Sequence, residues 1–517
     1  MRDITIILLA STLYIGSVFF VTQGKTFRLD SDYDSNFPII SYVVDTVRNE
    51  KRFPFWNPYV TTGISVLGDP LSGVTYLPYL LPMLAFGVPD GWWVVVGLHA
   101  FLAGVFMWMW LRKLLGRRLS LPLWGGLIYM GAGALSARVA AGHIEKVLSY
   151  PWHPLFLMFI LKKGQTLGTA ALMGAVMGVV FLTGDVYGLL FMAIFYGAIG
   201  VTRAIEGEIR RVRWIQWIRE IMLMMSAFLL VGGVKLVPFI FHVWPVMSRY
   251  STFDAARGSI HAFLTWMPLI VPWGVSFYDR PVSQQLFGFW YNWYEYYAFI
   301  GLPIVFLFWL PKVIKRRETQ LLLLLFFVGI LYIARGYPYS VFYWLEKSVP
   351  VLSWFRAPQR MYGALTSVVV ALIVLCAKRV VHPQQYVFLW AMLLITFVVN
   401  AYQMTHAFEI PRRDEESVVR EMRRRDAGEI TVATFACCTQ TFLVRERIRV
   451  INYYYGWLPK GAPRFTTADG SEFSLETIRM ARPTYIIAPK DMSVGEIGYD
   501  EWFEEGEIVV WRESILT

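Results

Sequence analysis

Ile-Thr-Ile-Ile-Leu-Leu-Ala-Ser-Thr-Leu-Tyr-Ile-Gly-Ser-Val-Phe-Phe-Val, residues 4–21, carries no charge and is long enough for one helix to cross a bilayer core. It lies between Met1-Arg2-Asp3 and Thr22-Gln23-Gly24-Lys25, with no small-x-small cleavage site after it, so it reads as a retained first helix. Leu321–Ile333, inside the run at roughly 319–334, is equally free of charge. Similar stretches recur at roughly 92–111, 119–137, 147–161, 168–184, 186–202, 219–238, 297–311, 319–334, 361–377 and 386–402, which gives about eleven expected spans. The composition agrees. Of 517 residues 56% are hydrophobic and only 16% charged, where a soluble domain carries about 25%. No soluble core of this size hides that much apolar surface. A disordered chain, a nucleic-acid-binding module and a disulfide scaffold are excluded, and the expected fold is a mainly α, polytopic membrane protein.

The formal charge of +11 conceals a split. Residues 1–402 hold 33 Lys/Arg against 18 Asp/Glu, and residues 403–517 hold 15 against 19. That shift marks the expected boundary between a transmembrane domain (1–402) and a soluble tail domain (403–517). In the tail, Ser417–Arg425 reads as a helix, while Ile430–Phe435, Arg449–Tyr454, Thr484–Ala488 and Ile508–Trp511 read as strands of a small α/β domain. The short loops Arg112–Arg118, Lys162-Lys163, Arg203–Arg219, Lys312–Arg317 and Lys378-Arg379 are basic and alternate with larger, mixed ones. By the positive-inside rule the N-terminus is cytoplasmic and the tail extracytoplasmic. The helices read as nearly free of ionisable groups, which argues against a multi-pass lipid or glycolipid transporter or flippase. Any chemistry then belongs to the outer loops. Cys376, Cys437 and Cys438 match no metal-ligand spacing.

Asp30, Asp32 and Asp34 follow the first helix. A carboxylate just outside a membrane helix can act as a general base, and carboxylates two apart can share a divalent cation; a solvated acidic loop is the plain alternative. Trp56 and Asn57 stand in a Pro- and Gly-rich loop that ends in an expected interfacial helix near Thr75–Phe86, either a sugar or lipid contact or a membrane anchor. His143 and Glu145, in Gly142-His-Ile-Glu-Lys, end the third span, and Asp185, in Thr183-Gly-Asp-Val-Tyr, ends the fifth. Ionisable residues at such ends are candidate substrate contacts. Glu295 lies in Trp293-Tyr-Glu-Tyr-Tyr, where it either touches a sugar hydroxyl or caps a helix. Arg356 and Arg360, four apart in Trp354-Phe-Arg-Ala-Pro-Gln-Arg, suit the oxygens of a phosphate or else anchor to headgroups.

The stretch Phe-Pro-Phe-Trp-Asn-Pro-Tyr-Val-Thr-Thr-Gly-Ile-Ser-Val-Leu-Gly-Asp-Pro-Leu-Ser-Gly-Val-Thr-Tyr-Leu-Pro (53–78) resembles the long loop motif of the YfhO-like bacterial membrane proteins, a branch of the GT-C glycosyltransferase superfamily. Gly142-His143, Phe355-Arg-Ala-Pro-Gln-Arg360 and Glu295 before Tyr297-Ala-Phe-Ile-Gly resemble it more weakly. The resemblance covers most of residues 1–380. It departs where the family's Pro is Ser65 and where its later Gly-His-x-Gln is Gly184-Asp-Val-Tyr187.

The resemblance implies a prokaryotic plasma-membrane enzyme with an outward-facing site and a polyprenyl-phosphate sugar donor. It implies a glycan, lipid or protein acceptor, membrane lipids as partners, and no nucleic acid. It also implies a base carboxylate in the first outer loop, a position that falls among Asp30, Asp32 and Asp34; Asp32 is preferred, with Asp30 second, because both lie within a few residues of the membrane surface. On this scheme a single inverting displacement needs no cofactor, because arginines neutralise a monophosphate. A diphosphate donor would call for Mg or Mn.

Overall fold

The computed structural model describes residues 2–23, 25–26, 32–60, 63–88, 90–116, 120–162, 166–206, 211–245, 259–272, 293–349, 352, 355, 357–381, 386–405, 410–411, 413–426, 428–434, 443–451, 481–489, 499–505 and 508–513. The chain is mainly helical and divides into two compact units. One comprises residues 1–21, 93–233 and 250–405; the other comprises 22–92, 234–249 and 406–517.

Among the described residues six helices are long and apolar enough to cross a membrane: Arg2–Thr22, Asp90–Leu115, Val186–Ile205, Ile215–Val243, Pro358–Ala377 and Val387–Thr405. Two more of the eleven expected runs are shorter helices, Leu167–Leu182 and Arg317–Ile333, and the remaining three are interrupted for local reasons. The run at 119–137 is two helices, Leu121–Met130 and Gly133–Ala141, interrupted at Gly131. The run at 147–161 breaks at Tyr150-Pro151 into Ile144–Ser149 and Trp152–Ile160. The run at 297–311 is not an α-helix: residues 297–301 are irregular and lead into a 3-10 helix, Leu302–Lys312.

Residues 297–301 lie buried in the first unit, where backbone polar groups need protein partners. Gly133 N–H donates to the Phe299 carbonyl (2.7 Å), Ala298 N–H to Pro268 and Ile300 N–H to Leu269. Tyr297 Oη donates to Asn400 Oδ1 (2.8 Å), and Asn400 Nδ2 donates to the Gly131 carbonyl (2.7 Å). One asparagine thus joins the break at Gly131 to this stretch.

Within the first unit the basic loops meet one another. Lys378 Nζ donates to the Leu115 carbonyl (3.2 Å), Arg203 Nη2 to Ile160 (2.8 Å), and Arg317 Nη2 pairs with Glu206. Helix Val186–Ile205 runs from Asp185 at its N-cap to this basic end.

In the second unit, helix Tyr33–Glu50 packs on helix Leu77–Phe86, and Trp92 Nε1 donates to Tyr33 Oη (2.8 Å) in a cluster with Phe37 and Tyr79. The tail holds helix Arg413–Arg425 and a five-stranded sheet in the order Arg449–Val450, Thr431–Thr434, Tyr485–Pro489, Ile508–Glu513, Tyr499–Glu505. The first three strands are parallel and the last two antiparallel to their neighbours. Val60, in the segment between helices Tyr33–Glu50 and Leu77–Phe86, bridges to Val450 at the sheet edge, where Val450 N–H donates to the Tyr59 carbonyl (2.9 Å).

Candidate active site

Helix Gly133–Ala141 ends at Gly142, whose φ of +76° favours glycine. That reversal lets His143 N–H donate to the Arg138 carbonyl (3.1 Å) and brings the two side chains together, Arg138 Nη1 to His143 Nδ1 at 3.2 Å. A guanidinium only donates, so Nδ1 accepts and Nε2 carries the proton, 3.7 Å from Glu295 Oε1.

Glu295 sits in the short helix Trp293–Tyr296 and is shared by two arginines. Arg138 Nη1 donates to Oε2 (2.6 Å). Arg360, on the 3-10 turn Pro358–Met361, donates from Nε (3.0 Å) and Nη2 (2.7 Å) to Oε1. Burial alone would push the Glu295 carboxyl up, but Arg360 and Arg138 hold it well below the usual carboxylate range. The Glu295 and Arg138 side chains are 3% and 5% exposed, whereas Arg360 is 15% exposed and its Nη1 has no hydrogen-bond partner among the described residues. Two guanidinium groups share this one carboxylate, and Arg360 is the more accessible of the two.

A second cluster adjoins. Lys146 forms an ion pair with Asp185 and lies 4.0 Å from Glu145. Asp185 also accepts from Ser149 Oγ (2.5 Å) and, as the N-cap of helix Val186–Ile205, from Gly188 N–H (2.8 Å). Its oxygens are committed to holding the fold. Tyr187 joins the clusters, its ring facing both Lys146 Nζ (4.3 Å) and the Arg360 guanidinium (5.1 Å).

Of the residues singled out in the sequence, His143, Glu295 and Arg360 come together, with Glu145 and Asp185 in the adjoining cluster. Asp32 is the half-buried N-cap residue of helix Tyr33–Glu50, and its carbonyl accepts from Asn36 N–H (3.0 Å). Trp56 is exposed and Asn57 buried in a two-residue strand paired with Ile64–Ser65. Asp30 and Arg356, like Cys437 and Cys438, lie outside the described residues, and Asp34 is described only as part of the helix backbone.

The expectation of helices nearly free of ionisable groups is corrected. Arg138, Lys146, Asp185, Glu295, Arg335 and Glu346 are all buried, and their pairing offsets much of the cost of leaving water. Sequence reading missed Arg138 and Lys146. The available signal was a single arginine among small residues in Gly-Ala-Leu-Ser-Ala-Arg-Val-Ala-Ala (133–141), five positions before His143.

No protein-family profile and no curated protein matches the sequence. Solved structures do match its fold. ArnT from Cupriavidus metallidurans in the apo state is 12% identical, with 98% of this chain and 97% of that one covered and a TM-score of 0.53. The Archaeoglobus fulgidus oligosaccharyltransferase is 11% identical over 98% of this chain and 74% of its own, with a TM-score of 0.53. The arabinofuranosyltransferase AftD from Mycobacteria is 9% identical over 98% of this chain and 41% of its own, with a TM-score of 0.56. All three are GT-C glycosyltransferases, and the chain has the GT-C fold.

Proposed function

We propose that this chain is a membrane glycosyltransferase of the YfhO-like branch of the GT-C superfamily. It moves a sugar from a polyprenyl-phosphate donor to an acceptor hydroxyl on the outer face of the membrane. The observation that carries the reading is Arg360: two of its nitrogens are fixed on Glu295, and Nη1 is left to an anion. The shared fold supports the reading, and the ArnT structure bound to undecaprenyl phosphate and the archaeal oligosaccharyltransferase AglB in complex with dolichol-phosphate show such lipids in two proteins of that fold.

In the proposed step the acceptor hydroxyl loses its proton to Asp32, or to Asp30, and its oxygen attacks the anomeric carbon. The bond from that carbon to the phosphate oxygen breaks, its electron pair leaving with the phosphate, and Arg360 and Arg356 stabilise the charge that develops. One displacement inverts the anomeric configuration. A monophosphate leaving group needs no metal; a diphosphate would call for Mg or Mn.

The test is transfer from synthetic undecaprenyl-phosphate sugars by the purified full chain. Asp32→Asn should slow transfer by about 10²–10⁴ while donor binding survives. Parental rates in D32N, D30N and the double variant would overturn the carboxylate-base mechanism. The proposed sidedness is checked with a membrane-impermeant thiol reagent: a cysteine at Glu504 should react from outside and one at Glu206 should not. The reverse pattern would remove the outward-facing site.

A further inference from the structure

Gln359, between Pro358 and Arg360, is fully buried, and neither its amide nitrogen nor its amide oxygen has a hydrogen-bond partner among the described residues. The 3-10 turn that carries it packs on the short helix Trp293–Tyr296. On that helix Trp293 is 4% exposed, and its indole N–H likewise lacks a partner. The same two elements supply Arg360 and Glu295, which pair with each other.

Glu295 and Arg360 are thus paired, whereas the Gln359 amide and the Trp293 indole N–H have no partner among the described residues, although a buried amide left unpaired loses its hydration without return. Native proteins leave few such groups, and each calls for an explanation. Gln359 offers two donor hydrogens and an acceptor, and Trp293 offers one donor. A phosphate could not use the Gln359 oxygen, and a lipid tail could use neither group. A hydroxyl, which both donates and accepts, matches the set.

Building on the glycosyltransferase reading, we propose that Gln359, with Trp293, reads hydroxyl groups of the donor's sugar and so determines which sugar is transferred. Gln359 is then a specificity residue, and its pairing is completed only when the sugar is bound.

The test pairs stability with lipid binding in the full-length protein in nanodiscs. The probes are bare undecaprenyl phosphate and undecaprenyl-phosphate-linked glucose, galactose, mannose and arabinose. Gln359→Met keeps length and removes both polar groups. It should melt at or above the parental temperature, bind bare undecaprenyl phosphate as the parent does, and bind the preferred sugar-lipid roughly 10- to 100-fold more weakly. Trp293→Phe, which keeps the ring, should weaken the same binding by less, and it stands in if Q359M fails to fold. A parent that prefers no sugar-lipid over bare undecaprenyl phosphate overturns the proposed function and this inference together. A clear parental preference that Q359M and W293F both retain overturns the inference alone. A lowered melting temperature in Q359M with unchanged preference assigns Gln359 a structural role and also overturns it.

Discussion

Each unit contains a glutamate held by two arginines, and the two arrangements differ chiefly in water. In the first unit Glu295 takes Arg138 at 2.6 Å and Arg360 at 2.7 Å, with its side chain 3% exposed. In the second, Glu50 takes Arg447 at 2.5 Å and Arg52 at 2.6 Å, with its side chain 35% exposed. The distances are nearly interchangeable, yet the consequences are not. An exposed pair is screened and competes with hydration. A buried pair has surrendered hydration, so the loss of one partner strands the other. Contact geometry alone therefore does not identify which arginine–glutamate pair matters; burial does.

The sharpest way to break this comparison is Glu295→Gln, which leaves Arg138 and Arg360 buried without their counter-charge. It should cost about 3–5 kcal/mol in denaturant titrations and abolish donor binding. A variant as stable as the parent would place Glu295 in the same class as Glu50.

The pH dependence refines the point. Because Glu295 is held below its ordinary value, its contribution is complete above the ordinary carboxylate pKa and is lost as pH falls through the depressed one. The E295Q penalty should stay constant from about pH 5 to 8 and shrink only below about pH 4. A penalty that changes near neutrality would contradict the assigned charge state.

A smaller effect is expected at Arg447, which stacks on Tyr42 (5.0 Å) and Tyr59 (5.5 Å) as well as pairing with Glu50. Arg447→Ala should speed hydrogen exchange in helix Tyr33–Glu50 several-fold, because tail residue Arg447 braces that helix. Glu50→Gln should leave both exchange and melting unchanged. Equal effects of the two would show that the ion pair, rather than the aromatic stack, does the bracing.

How much of this was legible in the sequence follows from range. Arg2–Thr22, Val186–Ile205 and Tyr362–Ala377 lie close to the runs read at 4–21, 186–202 and 361–377, because continuous apolar stretches report themselves locally. The helix expected near Thr75–Phe86 runs over Leu77–Phe86. Hydropathy averaged over a run does not register a break at one glycine or one proline, which is why 119–137 and 147–161 read as single spans. Glu295, His143 and Arg360 stood out because ionisable residues are rare among aromatic and apolar neighbours. Arg138 did not, since its meaning depends on a partner 157 positions away. In the tail, strand Tyr499–Glu505 was missed because Tyr-Asp-Glu-Trp-Phe-Glu-Glu carries a bulge between Glu501 and Phe503 that spoils the alternation.

The 3-10 helix Leu302–Lys312 has a mechanical consequence. Wound at about 2.0 Å per residue, its eleven residues reach about 22 Å, where an α-helix of the same stretch would reach about 16 Å. A tighter coil thus gives a short segment the reach of a longer one. Rewinding it into α form would draw its ends together by about 5 Å. Phe299, three residues ahead of it, is held by Gly133 and Asn400, so that stroke would be delivered at Lys312.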